Sequence, residues 1–291
     1  MSLLDKLANV AVAAPGQNLP GRTGLPNDFL KATLDAQDRV PEKMRAMEPG
    51  YVHVSSMVGF CGRQLALLRR EERPLFRSVT GGHRVMWRIG RAVESHIREQ
   101  FINARNRAGI LGNWTCACGA TMRRGAFSAA ARCEVCNQPV NVYGEFTLAD
   151  RTARIVGNPD LLFEWQKSVV VVEIKSMNPE QWEKLATPLG DHIFQAGMYH
   201  DLLKANGFTP NKDVVFIYCT KQFKYGSPYK EFHVDVSVPT LTAQRQMVRE
   251  QVAETMRHID AGTLPPRTLC ASHTSSMAKT CPMVAQCFTL R

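Results

Sequence analysis

The chain has 291 residues, 36 Lys and Arg against 26 Asp and Glu, a formal charge of +10 and nine Cys. At 44% hydrophobic it can bury a core, which excludes wholesale disorder, and its length allows about two domains. No apolar run approaches the ~20 residues that span a bilayer, so no membrane partner is expected. The charge excess implies a polyanionic partner, most often nucleic acid.

In chain order, Met1 to Ala14 is a short apolar stretch broken by Asn9, with Asp5 cancelling Lys6. It is not read as a signal peptide, and a cytoplasmic protein is expected. Disulfides are disfavoured there, so closely paired Cys point first to metal ligation. Residues 14–26 are rich in Pro and Gly and read as a linker, and 28–47 as a helix. Residues 1–50 form an arm without an assigned role.

Residues 61–110 carry eleven Arg, no Lys and four acidic residues. Arg matches phosphate oxygens bidentately, so this segment is read as phosphate-facing, with Arg63, Arg84, Arg88 and Arg91 as candidates. From about 83 to 108 apolar residues recur at helical spacing: Val85, Ile89, Val93, His96 or Ile97, then Gln100 or Phe101. An amphipathic helix with a basic face is predicted.

Residues 111–140 read as an inserted module. Cys116-x-Cys118 and Cys133-x-x-Cys136 are separated by fourteen residues. Two such knuckles resemble a zinc ribbon, in which four thiolates hold Zn²⁺ tetrahedrally. Arg123 and Arg124 lie between them and are further DNA-contact candidates.

Strands are predicted at about 142–149, 152–157, 160–164 and 168–175, the last around the β-branched run Val169 to Val172. Asn178-Pro179-Glu180 marks a helix start. A second helix is predicted from about 191 to 205, ending at Asn206-Gly207. Strands near 213–220 and 229–236 follow, then a helix over 239–260. The last 30 residues are irregular and hold three Cys, while Cys219 in a predicted strand is read as core. The fold class is α/β.

The chemistry centres on Pro159-Asp160 and Glu173-Ile174-Lys175. In a strand, residues i and i+2 share a face, so Glu173 and Lys175 point together and Ile174 points into the core. An antiparallel neighbour beginning near Asp160 brings a second carboxylate to the same place. Carboxylates suit hard cations such as Mg²⁺ or Mn²⁺, which activate water and polarise a phosphoryl oxygen. A Lys alongside stabilises the charge that develops.

These residues resemble the motif of the PD-(D/E)xK nuclease superfamily. Gln195 and Tyr199 resemble the Gln-xxx-Tyr of its RecB-like branch, and Gly90 to His96 the upstream Gly…His motif. The resemblance implies a restriction-endonuclease-like fold, a mixed central β-sheet flanked by helices, over residues 51–291, with the zinc-ribbon-like module inserted. It implies that His96, Asp160, Glu173 and the Ile174 carbonyl hold Mg²⁺ or Mn²⁺, that Lys175 assists the water, and that Gln195 and Tyr199 position the strand.

One early Cys and three late ones, Cys61 with Cys270, Cys281 and Cys287, resemble the iron–sulfur staple of AddB-type and CRISPR-associated RecB-like exonucleases. That resemblance implies a [4Fe–4S] cluster by which the tail, 261–291, closes onto the domain; Zn²⁺ is the alternative occupant. The expected activity is a metal-dependent DNA exonuclease in recombination, repair or end processing. A helicase or recombination protein is a candidate partner, and a phage origin would fit. The rivals are a non-catalytic DNA-binding protein of the same fold, a site-specific endonuclease, and a zinc-ribbon adaptor. Oligomeric state is left open.

Overall fold

A computed structural model describes residues 42–43, 50–70, 76–77, 81–104, 107–220 and 227–290. The chain divides into two units. The smaller comprises residues 1–44 and 76–87; its described part is a two-residue ladder, Glu42–Lys43 antiparallel to Phe76–Arg77, and the first turns of a helix. The linker at 14–26 and most of the helix expected at 28–47 lie outside the described residues. Glu42–Lys43, within that span, is strand instead.

The larger unit holds the remaining elements. In chain order these are β1 (Val52–His53), α1 (Gly62–Arg70), α2 (Gly81–Asn103, which begins in the smaller unit), β2 (Ile110–Cys116), β3 (Met122–Ala126) and β4 (Val140–Gly144). There follow β5 (Leu148–Asp150), β6 (Ile155–Gly157), β7 (Leu161–Trp165), β8 (Ser168–Met177), α3 (Pro179–Lys184) and α4 (Gly190–Ala205). The chain closes with β9 (Asp213–Thr220), β10 (Tyr229–Asp235), α5 (Pro239–Asp260), α6 (Ser276–Thr280) and α7 (Val284–Thr289).

The central sheet runs β10-β9-β8-β7-β2-β3, with β4 also paired to β2. It is mixed: β8 and β9 are parallel, and the other neighbours are antiparallel. A small second sheet has the order β1-β6-β5. The parallel pair needs a crossover, and α3 and α4 supply it. Asn178 caps α3 by accepting from Gln181 N–H, with Pro179 in the first turn. Helix α4 ends at Gly207, whose φ of +80° suits a residue without Cβ; Phe208 N–H then bonds back to Leu203 O at 3.0 Å.

Alternation along β8 builds two cores. Val169, Val171 and Met177 join the cluster that includes Phe194, Met198, Tyr199 and Leu202 of α4. Val172 and Ile174 join the opposite cluster, which includes Ile97 of α2, with Val93 and Phe101 packed against it. Strand β8 is therefore buried on both faces, as a central strand should be.

The predicted module at 111–140 is not a separate body. Its first strand, β2, is laddered to β7 through Ile110↔Phe163 and Leu111↔Leu162, so the Cys-bearing hairpin extends the central sheet. Trp114, fully buried between Phe127 and Tyr143, fixes its root. Likewise 142–149 is not one strand, because residues 145–147 leave the sheet between β4 and β5.

Candidate active site

The antiparallel ladder of β7 on β8 stops at Leu161↔Val172. Two residues further along β8, the Ile174 N–H on that side has no strand partner, and Asp160 Oδ2 takes it at 2.8 Å. Asp160 thus occupies the end of its own strand's ladder, which fixes it beside the Glu173–Lys175 pair. Tyr143 OH donates to the Asp160 carbonyl at 3.2 Å.

Glu173 and Lys175 face α4, as their parity with Val171 and Met177 requires. Glu173 is 1% exposed, and neither of its oxygens accepts a well-directed hydrogen bond. Lys175 Nζ lies 2.5 Å from Glu173 Oε2 and 3.9 Å from Asp160 Oδ2. Burial pushes the Glu173 carboxyl up to about 7, with Asp160 adding to the rise and Lys175 opposing it. Burial works against the Lys175 charge, but Glu173 and Asp160 outweigh it and hold this lysine above the usual range. A buried carboxylate whose Oε2 is paired with the Lys175 ammonium and whose Oε1 has no partner, beside a second carboxylate, fits a divalent cation.

The structure does not bring His96, the expected upstream ligand, into the Asp160–Glu173–Lys175 group. His96 is exposed, and two positions on a helix lie about 200° apart. Glu94 faces the site instead: Ser176 Oγ, one residue past Lys175, donates to Glu94 Oε1 at 3.3 Å. Burial raises the Glu94 carboxyl, and Asp160 raises it further. The signal that could have found it is the helical stripe, whose Ile97 and Phe101 edge Glu94 adjoins, whereas His96 falls on the far side of Val93.

On α4, Gln195 Nε2 donates to Tyr199 OH at 3.0 Å. Tyr199 is 1% exposed and packs where Gly157 allows it; a Cβ at 157 would fall 2.5 Å from its ring. Burial, then Glu173, raises the Tyr199 phenol. Tyr199 is therefore buried, with Gln195 as its hydrogen-bond partner. The sequence reading did not single out His192, one turn before Gln195 on the same helix, whose Nδ1 lies 2.7 Å from Tyr218 OH.

The arginines separate. Arg63 is corrected as a phosphate contact: it is buried, and its guanidinium donates to the Pro265, Cys287 and Leu290 carbonyls. Arg88 and Arg91 are exposed on α2. The Arg84 side chain lies outside the described residues. Arg123 is exposed, and Arg124 stands 4.5 Å over the Phe146 ring while donating to Thr147 O at 2.7 Å. Arg98, not singled out in the sequence, is one turn from Glu94 and paired with Glu145 at 2.6 Å.

The nine Cys form two groups and a remainder. The Sγ atoms of Cys116, Cys118, Cys133 and Cys136 lie within 4.8 Å of one another, and among the described residues this is the set that converges so tightly. Such spacing fits four thiolates on a single ion. Thr121 Oγ1 donates to Cys133 Sγ at 3.2 Å and, as the largest influence, pulls that thiol down to about 6. Cys61, Cys270, Cys281 and Cys287 line one cavity. Burial raises the Cys281 thiol, and its three neighbours each add to the rise. Cys219 is core, as read.

No curated protein matches the chain. Among solved structures it is similar to an alkaline exonuclease from Laribacter hongkongensis, at 15% identity and a TM-score of 0.45, covering 73% of this chain and 91% of that one. The same protein in complex with dAMP matches at 14% identity and a TM-score of 0.41, over 73% and 91%. A protein of Eubacterium rectale described as an exonuclease matches at 11% identity and a TM-score of 0.40, over 81% and 93%. The profile of the PD-(D/E)XK nuclease superfamily matches residues 83–288, a span that contains Glu94, Asp160, Glu173 and Lys175. The chain belongs to the PD-(D/E)XK nuclease superfamily.

Proposed function

We propose that the protein is a Mg²⁺- or Mn²⁺-dependent deoxyribonuclease that degrades DNA from its ends. The observation that carries this reading is the buried Glu173 carboxylate, its Oε1 without a partner and its Oε2 paired with Lys175, beside the Asp160 that is tied to Ile174 N–H. Asp160, Glu173 and Glu94 would hold the cation, with the Ile174 carbonyl adjacent. When bound, the cation supplies an activated water and a charge partner for the phosphoryl oxygens. The chain's own part is to keep Glu173 dry, to aim Asp160 through its backbone hydrogen bond, and to place the Lys175 ammonium where negative charge grows.

Exonuclease rather than endonuclease action rests on the resemblance to RecB-like exonucleases, which Gln195 and Tyr199 carry. Arg88, Arg91, Arg123 and Arg124 are the proposed phosphate contacts, and recombination, repair or end processing is the setting that such an activity serves. The test is digestion of labelled DNA in Mn²⁺. Wild type should degrade linear DNA to mononucleotides or short products and leave closed circles intact, while Lys175→Ala should be inactive. Equal degradation by both proteins would refute the catalytic reading; discrete fragments from closed circles would favour the site-specific endonuclease.

The two Cys sets take different occupants. The tight Cys116 set suits one Zn²⁺. The Cys61 set lines a common cavity without the same convergence, which suits an iron–sulfur cluster, since each thiolate then binds a different iron.

A further inference from the structure

Outside the acidic pocket, α4 presents a second polar grouping to the same end of the sheet. Tyr218 is the register partner of Lys175 on the neighbouring parallel strand, so the two side chains share a face. The Tyr218 hydroxyl accepts the Leu189 N–H at 3.1 Å, just before α4 begins. Its own proton then has one acceptor among the described residues, His192 Nδ1 at 2.7 Å. A half-buried hydroxyl keeps its proton in a hydrogen bond, so Nδ1 is the acceptor and the ring proton sits on Nε2.

Nε2 has no partner among the described residues and is not sealed from solvent. Burial, then the charge of Lys175, pushes His192 down to about 4, so the ring is neutral at physiological pH. His192, Gln195 and Tyr199 fall at i, i+3 and i+7, one stripe of the helix, which runs from Lys175 to Glu173. A neutral ring whose tautomer is fixed from behind is a directed single donor.

We propose that His192 binds a DNA backbone phosphate next to the scissile bond, donating from Nε2–H, with Tyr218 and Leu189 holding the ring in register. The inference rests on the nuclease reading of the Asp160–Glu173–Lys175 site. It assigns His192 a substrate contact and Tyr218 a positioning role.

The experiment compares wild type with His192→Ala, His192→Gln, His192→Asn and Tyr218→Phe. A Gln amide reaches the place of Nε2, whereas an Asn amide reaches only that of Nδ1. Two quantities are read: kcat/KM on end-labelled linear DNA, and DNA affinity by fluorescence anisotropy in EDTA, where nothing is cleaved. His192→Ala and His192→Asn should each lose about ten- to a hundredfold in kcat/KM, the worth of a hydrogen bond to a charged group. His192→Gln should recover most of that loss, and Tyr218→Phe should fall between, with affinity following the same order.

Wild-type rate and affinity in His192→Ala, or equal losses in the Gln and Asn variants, would overturn the proposal. Should His192→Ala fail to fold, the Gln and Asn pair decides. If wild type proves no more active than Lys175→Ala, the nuclease reading has failed; the anisotropy series then still decides whether His192 contacts DNA.

Discussion

The Lys175 ammonium stands 2.5 Å from Glu173 Oε2 and 3.9 Å from Asp160 Oδ2, so one cation bridges both strands of the motif. A divalent cation would be held by the carboxylates, and the ammonium would stabilise charge on the reacting phosphoryl group. Lys175→Ala should therefore keep metal uptake and lose turnover by about 10²–10³-fold, the usual cost of removing one transition-state donor. Single-turnover digestion alongside metal titration separates the two quantities. Weakened metal binding with an unchanged turnover at saturating metal would contradict the role.

The pH dependence of stability follows from Glu173. The folded, metal-free protein keeps a proton there up to about 7, whereas the unfolded chain releases it near the ordinary 4.5. Across that interval the native state binds more protons, so stability is complete below the interval and falls as pH rises through it. Melts of metal-free protein should show this decline, Glu173→Gln should flatten it, and Mg²⁺ should stabilise wild type most above about pH 7 by pairing the ionised carboxylate. An identical slope in the Gln variant would show that Glu173 is not the group responsible.

Glu94 and His96 make opposite predictions. Glu94→Ala should weaken metal binding or activity by about ten- to a hundredfold, as loss of a group that shapes a metal site does. His96→Ala, on the exposed face, should stay within about twofold, as surface substitutions do. Isothermal titration with Mn²⁺ and rates at fixed metal measure both. The reverse ranking would restore His96 as the ligand.

These two residues mark where sequence reading stops. The sharing of a face by Glu173 and Lys175 is local periodicity, and the antiparallel approach of Asp160 follows from a short connection, so both were legible. The strands and helices from 160 to 260 were legible for the same reason. Which side of α2 meets the sheet depends on packing of Val93, Ile97 and Phe101 against Val172 and Ile174, a contact between segments some 80 residues apart. Arg63 was misread because composition cannot tell a solvated Arg from one donating to carbonyls two hundred residues away. That the Cys116 hairpin extends the central sheet was not legible, because nothing local announces that Leu111 pairs with Leu162.

Arg63 ties α1 to the chain's end through three carbonyls, among them that of Cys287 itself. Arg63→Met keeps most of the buried stem and removes every donor. The buried Pro265 carbonyl left unpaired costs about 1–3 kcal/mol, and the part-buried Cys287 and Leu290 carbonyls less, so a fall in Tm is expected. Cys270, Cys281 and Cys287 should then hold their metal less firmly. Metal analysis after dialysis is the check; full retention together with a wild-type Tm would show that the clamp is dispensable.

The two Cys sets should also part company under chelation. Anaerobically purified protein should be brown, with a broad band near ~400 nm from iron bound to thiolates, and should carry Zn²⁺ as well. Cys281→Ser should lose the band and keep zinc, because the Cys116 set extends β2 and shares no residue with the cavity at the tail. Cys133→Ser should lose zinc and keep the band, with destabilisation confined to the hairpin, since Trp114 still anchors its root. Limited proteolysis locates that loosening: cleavage should appear between residues 117 and 139 and leave the site strands intact. A colourless protein with two Zn²⁺ per chain would assign zinc to both sets, and the wider Cys61 set would then have to contract around its ion.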